Sequence, residues 1–472
     1  MSANGWETIV GLEIHAHLKT RTKMFCRCET GFGDPQNTRT CPVCLAHPGT
    51  LPVPNRTAVE WTIKLGLALG CEIAPRAVFH RKNYFYPDLP KGYQISQYDE
   101  PLCLDGCFTV PRAGGDLEVG IVRAHLEEDA AKTVHLEGAG GRIVGATRSL
   151  VDFNRGGTPL VEIVTRPDLR SADDARRFLQ LLRQTIVELG ISDAEMEKGT
   201  LRCDANVSVR RLGETGHRTR WELKNMNSFG FIGRGIEAAA RAQIALHEAG
   251  EPVEQDTYDY DADTDTLTVH RSKEEADDYR YFPEPDLVPI EPSRELVERL
   301  RAELPELPGA RIARIAADLG LDTAVDLVTS GRDRLYEAVA AEGVEPRAAA
   351  NVIMNQLAGA GVDPGAVPPR ELARLIAARA SMSRAAFDEA IARAGEPGFS
   401  AEPYLAQRAI SDESELGTVV ERVLAASPGQ VEAYRAGKEG LLGFFVGQVM
   451  KETHGRADPR VVNELVREKL EA

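Results

Sequence analysis

The chain has 472 residues, 43% of them apolar and 27% charged, with 72 acidic against 56 basic side chains and a net charge of −16. These proportions exclude a disordered chain, a collagen-like repeat and a small disulfide scaffold, and the length points to about three domains. No run approaches the roughly 20 apolar residues that cross a bilayer; the longest, Gly440 to Met450, contains Gln448 and is flanked by Glu439 and Lys451.

The first residues lack a basic stretch followed by a long apolar one, so no secretory leader is expected. VGLEIHAHL (10–18) alternates. On a strand, Val10, Leu12, Ile14, Ala16 and Leu18 enter a core, and Glu13, His15 and His17 share the other face. A carboxylate and imidazoles in a row suit a divalent cation or acid–base work; a solvated edge strand gives the same pattern. Cys26-x-Cys28 and Cys41-x2-Cys44 form two close pairs, a set suited to a tetrahedral structural Zn2+. The other cysteines, 71, 103, 107 and 203, read as buried thiols. Free thiols without a leader fit the cytoplasm.

A helix is predicted over Thr57–Leu69. RKNYFYPD (81–88) and KGYQISQYDEP (91–101) set Arg81 and Lys82 beside aromatics and amides, a composition that grips phosphates and stacks a base, or else a basic loop over a tyrosine-rich core patch. Neither standard glycine-rich phosphate loop occurs. In RAHLEED (123–129), alternation groups His125, Glu127 and Asp129, with Glu128 opposite unless a bulge intervenes; in PLVEIV (159–164), Glu162 stands alone in an apolar strand. These carboxylate sites and His15 can converge on one Mg2+, or be sheet edges in solvent. Further on come a helix over Ser171–Leu189 with Ser171 as cap, the alternating LRCDANVSV (201–209), RTRWELKNM (218–226) and a helix over Arg234–Glu248.

Residues 251–286 hold thirteen acids against three bases, and prolines 283, 285, 289 and 292 then mark a boundary. Beyond it the pattern is helical, with a second break near Pro403. The expected domains are a mixed α+β part over 1–292, a helical domain over 293–405 and a small helical tail over 406–472, whose Gln430–Ala472 stretch carries seven acids and seven bases. In KEGLLGFFVGQVMK (438–451), Gly440, Gly443 and Gly447 recur at helical spacing. Glycine costs about 1 kcal/mol inside a helix, so three of them imply close approach of another surface. That surface is an RNA backbone with Lys438, Lys451 and Arg456 on its phosphates, or another helix of the tail.

VGLEIHAHL, FHRKNYFYPDLPKGYQISQYDEP, HLEEDAAK, DFNRGGTPLVEIVTRPD, MEKGTLRCDANVSVR, ELKNMNSF, DDYRYFPEPDLVP and GKEGLLGFFVGQVMK, in this order, resemble the B subunits of the glutamyl/aspartyl-tRNA amidotransferases over essentially the whole chain. The resemblance implies a glutamine-synthetase-like cradle in the first part, using ATP and Mg2+ to phosphorylate the side-chain carboxylate of Glu-tRNA(Gln) or Asp-tRNA(Asn), after which ammonia displaces phosphate. It implies Mg2+ ligands at Glu13, His15, Glu128 and Glu162, with Glu127 beside them and Lys82 in the active-site and ammonia-path region. It also implies a zinc knuckle at the paired cysteines and a carboxy-terminal part that holds tRNA. The partners implied are the amidase of the complex, its A subunit, which releases ammonia from glutamine, and the small C subunit. A glutamate-only archaeal relative carries a synthetase-like insertion for which this chain has no spare segment. A non-catalytic tRNA-binding scaffold with a structural zinc is the alternative expectation.

Overall fold

The computed structural model of the chain describes residues 5–112, 114–138, 145–272, 279–406, 412–453 and 456–471; positions 273–278 of the acidic stretch and 407–411 at the start of the tail lie outside them. VGLEIHAHL, all but its last residue Leu18, lies within strand β1 (Trp6–His17). Helix α1 (Arg56–Ala68) follows, capped by Asn55, whose side chain accepts from the Thr57 and Ala58 N–H groups. Next come β2 (Glu72–Ile73), β3 (His80–Asn83), β4 (Tyr93–Ser96), β5 (Cys103–Val110), β6 (Leu117–Glu128) and β7 (Lys132–Leu136). RSLVDFNRGGTPLVEIV divides into β8 (Arg148–Asp152), which pairs with β7, and β9 (Pro159–Thr165) in the main sheet. The division falls at Gly157, whose φ of +84° a side chain disfavours.

Helix α2 (Ala172–Glu188) starts at the expected cap, Ser171 Oγ accepting from the Asp174 N–H at 3.0 Å. Strands β10 (Leu201–Arg211) and β11 (Trp221–Lys224) lead to α3 (Phe229–Ala249). That helix begins five residues before the expected Arg234, because Ser228 caps it, accepting from the Phe231 N–H at 3.1 Å. Then come β12 (Asp256–Asp261), β13 (Thr266–Ser272), β14 (Phe282–Pro283) and α4 (Arg294–Ala302).

Nine strands form one sheet in the order β13-β12-β11-β10-β1-β9-β6-β5-β2, antiparallel throughout except for β11 beside β12. A small sheet runs β14-β3-β4. In it Phe282 lies opposite Arg81 and Pro283 opposite His80, Pro283 being on an edge strand where its missing N–H costs nothing; of NYFYPD only Asn83 belongs to the sheet, its side-chain amide donating to the Tyr279 and Arg280 carbonyls. On one face of the main sheet Val10, Leu12, Ile14, Ala124, Leu126, Val161, Ile163, Ala205 and Val207 are buried. Each large aliphatic among them is worth about 1.5–3 kcal/mol of burial. Helix α3 packs there through Ala240 and Ile244 on Trp6 and Val209, and Phe178 of α2 meets Phe108 of β5 edge-on at 5.5 Å. Gly66 of α1 lies so close to Cys103 of β5 that a Cβ would sit 2.4 Å from its sulfur.

The chain forms two compact units, Met1–Arg311 and Ile312–Ala472. Beyond α4 every described element is helical: α5 (Pro308–Leu319), α6 (Leu321–Thr329), α7 (Asp333–Ala341), α8 (Pro346–Asn351), α9 (Pro369–Ala378), α10 (Arg384–Arg393), α11 (Glu402–Leu405), α12 (Glu413–Ala425), α13 (Pro428–Arg435), α14 (Leu442–Glu452) and α15 (Pro459–Glu471), with short tighter or wider turns between. Leu416, Val420, Phe445, Val449, Val462, Val466 and Leu470 give α12, α14 and α15 a core of their own. The whole is a mixed α/β protein with one large mixed sheet and many helices. No helix of the described residues is long and apolar enough to cross a membrane.

Candidate metal and catalytic site

Directly opposed residues of antiparallel strands share a face. Register therefore assembles the polar face of the sheet: His15 lies opposite Arg202 of β10 and Glu162 of β9, Glu162 lies opposite His125 of β6, and His17 and Glu127 both lie opposite Leu160. The His15 Nε2 atom is 3.4 Å from Glu162, 3.7 Å from Glu127 and 3.9 Å from Glu13. Glu162 also lies 3.7 Å from His125 and 3.4 Å from Arg123. Two overlapping donor sets result, Glu13–His15–Glu162 and His125–Glu127–Glu162, each with ligand atoms within 4.8 Å of one another.

Burial pulls the His15 imidazole down, but Glu162, Glu127 and Glu13 prevail and hold it at about 9. Burial and then Glu162 raise Glu13 and push Glu127 to about 7. Burial opposes ionisation of Glu162, yet His125, His15 and Lys82 keep its carboxyl well below the usual range. Two acids that ionise with difficulty beside one that stays ionised form a donor set that a divalent cation resolves.

Without metal the two histidines titrate on opposite sides. Burial holds His125 at about 4, against about 6.5 unfolded. Its contribution is complete above pH 6.5 and lost as pH falls to 4, about 3 kcal/mol at ~1.4 kcal/mol per pH unit. His15 contributes fully below pH 6.5 and loses its share as pH rises to 9. In denaturant unfolding of the metal-free chain His125→Asn should lose less stability than wild type as pH falls from 6.5 to 4; Glu127, which holds its proton up to about 7, works against His125 over this range, so the difference between the two proteins is the readout. An acid limb unchanged in that variant would contradict this account.

The remaining expected residues divide between this face and other places. Lys82 stands 4.8 Å above the Tyr279 ring; burial lowers its pKa, but Tyr281, Glu127 and Glu162 raise it more, so it stays charged. Tyr279 meets Tyr84 and Tyr281 edge-on, and Tyr281 stacks on Tyr98 at 4.3 Å, an aromatic wall beside Lys82. Arg81 alternates to the other side of β3. There it is clamped by both Glu284 oxygens at 2.7 and 2.8 Å and lies over Tyr93. Glu128 also turns away from the cluster: strand alternation carries its carboxylate to Lys91 and to the Ile95 N–H at 3.0 Å. Glu127 instead accepts from Ser96 Oγ at 3.1 Å. Asp129 is bound to His17 at 2.6 Å, Arg202 at 3.0 Å and Arg155 at 3.3 Å.

The Sγ atoms of Cys26, Cys28, Cys41 and Cys44 lie within 4.8 Å of one another. The Cys41 N–H donates to Cys44 Sγ at 3.2 Å, and the buried Lys23 ammonium lies 3.7 Å from the same sulfur. Bonding to Cys26 lowers the Cys44 thiol to about 4, while Cys28 rises to about 11, chiefly through burial. Four thiol groups so close, one readily ionised, fit a tetrahedral metal.

In the tail, side chains built on Gly440, Gly443 and Gly447 would meet nothing within 4 Å, so packing within the tail does not explain these glycines. Lys438, Lys451 and Arg456 are exposed. Sequence reasoning missed Ser96, Lys91 and Lys23, which come from turns and short strands and carry no periodic signal.

Among family models, the GatB/GatE catalytic domain matches residues 8–298 and the GatB domain matches residues 334–470. A protein of Anaeromyxobacter dehalogenans, named as the B subunit of an aspartyl/glutamyl-tRNA(Asn/Gln) amidotransferase, is 49% identical over 490 residues, covering 100% of both chains. One of the same name from Moorella thermoacetica is 47% identical over 479 residues, 98% of this chain and 100% of that one. Another from Syntrophotalea carbinolica is 44% identical over 480 residues, 98% of each.

Proposed function

The chain belongs to the B-subunit family of the aspartyl/glutamyl-tRNA(Asn/Gln) amidotransferases, ligases that form a carbon–nitrogen bond with glutamine as amido donor, and from that premise we propose that the polar face of its first unit carries the ATP-dependent half of transamidation. The observation that supports this most is the meeting of Glu13, His15, Glu127 and Glu162 from three strands beside the charged Lys82.

In this reading Glu13, His15 and Glu162 would hold Mg2+, which when bound shields the ATP γ-phosphate from the negative carboxylate that attacks it. Lys82 adds a fixed positive charge for the phosphate oxygens. The side-chain carboxylate of Glu-tRNA(Gln) or Asp-tRNA(Asn) attacks the γ-phosphorus and ADP leaves. The nitrogen of ammonia then attacks the acyl carbon and phosphate leaves. Glu127, titrating at about 7 and oriented by Ser96, takes the proton that the attacking nitrogen sheds. The wall of Tyr84, Tyr98, Tyr279 and Tyr281 keeps water from the acyl phosphate. Glu128 is not a ligand here; it fixes Lys91 and the Ile95 backbone at the edge of the site.

Residues 1–292 serve as the glutamine-synthetase-like cradle, 293–405 as a helical domain, and 406–472 as the tRNA-holding tail, with Lys438, Lys451 and Arg456 on phosphates. The amidase, or A subunit, releases the ammonia, and the small C subunit completes a cytoplasmic heterotrimer. The assembled complex, given ATP, ammonium and Glu-tRNA(Gln), should form ADP and Gln-tRNA(Gln) in equal amounts. A complex that binds tRNA and forms neither would leave only the scaffold role.

The cysteine set holds a structural Zn2+ in the same reading. Cys41→Ser should take bound zinc from about one equivalent per chain to none, measured by elemental analysis of the purified protein. A full equivalent retained in that variant would refute it.

A further inference from the structure

Lys23 is 1% exposed, and a lysine so buried needs its charge met. Its ammonium donates to the Phe153 carbonyl at 3.0 Å and lies 3.7 Å from Cys44 Sγ. Among the described residues no carboxylate is ion-paired with it, so the acidic group it meets is the cysteine set. Four thiolates around Zn2+ leave a net charge of minus two in a half-buried place, and a buried ammonium offsets part of it.

The same lysine touches the turn that leads into β9. A Cβ built on Gly157 would lie 3.5 Å from Lys23 Cδ and 3.9 Å from Cys44 Cβ, and the Gly157 carbonyl accepts from the Met24 N–H at 2.7 Å. The cysteine loop holds the turn a second time: Asn37 Oδ1 accepts from the Phe153 N–H, and the buried Asn154 side chain accepts from the Arg39 N–H and donates to the Pro35 carbonyl, each at 2.8 Å. On its other side the Gly157 N–H donates to the Asp129 carbonyl at 2.8 Å, and the Asp129 N–H donates to the Thr158 carbonyl at 2.9 Å. The turn thus lies between the cysteine loop and the end of β6, and β9, which carries Glu162, begins directly after it. A cavity of about 270 Å3 adjoins it, with Lys23, Cys26, Cys44, Lys91, Glu128 and Gly157 in its walls.

We propose that Lys23 is the charge partner of the metal-bound cysteines and that, through it, zinc occupancy fixes residues 153–158 ahead of β9. Lys23 is a positioning residue: it keeps Cys44 ionised for the metal with one side of its ammonium and holds the Phe153 carbonyl with the other. Zinc is then a brace for the approach to the catalytic face as well as for its own loop. This rests on the zinc reading of the cysteine set given above.

The test is a zinc competition on the full-length chain, with Mg2+ in excess to occupy the carboxylate face and a chromophoric chelator reading the transfer of Zn2+. Wild type should hold one Zn2+ per chain, and Lys23→Met should hold it about 10–100-fold more weakly, the range found when a group that supports a metal ligand is removed. Lys23→Gln still donates to the Phe153 carbonyl but lacks the charge, so it should weaken zinc by a similar factor. It also stands in for Lys23→Met should that variant lose its circular-dichroism spectrum. Stripping zinc from wild type should speed amide hydrogen exchange across 153–158 by about tenfold or more. A folded charge-removed variant that binds zinc within about threefold of wild type, or unchanged exchange across 153–158 after stripping, overturns the proposal and leaves the zinc reading standing. No zinc in wild type overturns the zinc reading and the proposal with it.

Discussion

Glu162→Gln in the assembled enzyme should cut tRNA-dependent ADP formation by about three orders of magnitude while leaving tRNA affinity and glutamine hydrolysis by the partner unchanged. Glu162 belongs to both donor sets and is the ionised member of the group, its charge held by His15 at 3.4 Å and His125 at 3.7 Å. Glutamine keeps the shape and one acceptor oxygen but removes the anion. His15 then loses the strongest of the attractions that keep it high, and the proposed cation loses a charged ligand. Truncation to alanine would add a cavity and confuse a folding loss with a chemical one, so the isostere is the cleaner probe.

Two companions sharpen the result. Glu127→Gln should fall comparably, since it removes the proposed proton acceptor. Glu128→Gln should fall by tenfold or less, because that carboxylate acts on Lys91 and the Ile95 N–H rather than on the cluster. ADP release measured with ATP, ammonium and Glu-tRNA(Gln) separates them. A Glu162→Gln enzyme within tenfold of wild type would sink the assignment of this face, and the reverse order of the Glu127 and Glu128 variants would restore Glu128 to the ligand set.

Much of this face is legible in the sequence because β1, β10 and the part of β6 that follows its irregularity at Ile121–Arg123 alternate. VGLEIHAHL shows which side of β1 is apolar, and RAHLEED puts His125 and Glu127 on the face opposite to Glu128 by the same rule. Alternation fails where register decides. Nothing local states that Glu162 lies opposite both His15 and His125, since that follows from β9 inserting between β1 and β6. The Lys224–Asp204 ion pair is beyond reach for the same reason: its members lie on the neighbouring strands β11 and β10. Helix α3 is legible only from Arg234 on, because Phe229–Gly233 mixes aromatics and glycines without periodicity and the Ser228 cap is a single residue. The cysteine spacing is sufficient to predict convergence, since a short loop between two close pairs leaves few other arrangements. The buried Lys23 beside it gives no signal at all.

Arg81 is where composition and geometry part, and its partner gives the largest expected change in stability. Glu284→Ala should destabilise the first unit by about 3–5 kcal/mol, lowering its melting temperature by roughly 6–15 °C. Glu284 is 2% exposed and binds the Arg81 guanidinium through two oxygens at 2.7 and 2.8 Å; its removal strands a half-buried cation over Tyr93, with Asp286 at 3.6 Å as the remaining carboxylate. The pair also ties β14 to β3, the strand that carries Lys82, so its loss loosens the aromatic wall at Tyr279 and Tyr281. Arg81→Met should share the stability loss, since Glu284 is then left buried without its counter-ion, and should raise the KM for ATP less than threefold. A phosphate-gripping arginine gives the opposite split. If Arg81→Met melts like wild type while its KM for ATP rises tenfold or more, the guanidinium serves the nucleotide as the run of cations and aromatics in the sequence first implied, and the Glu284 clamp is only its resting place.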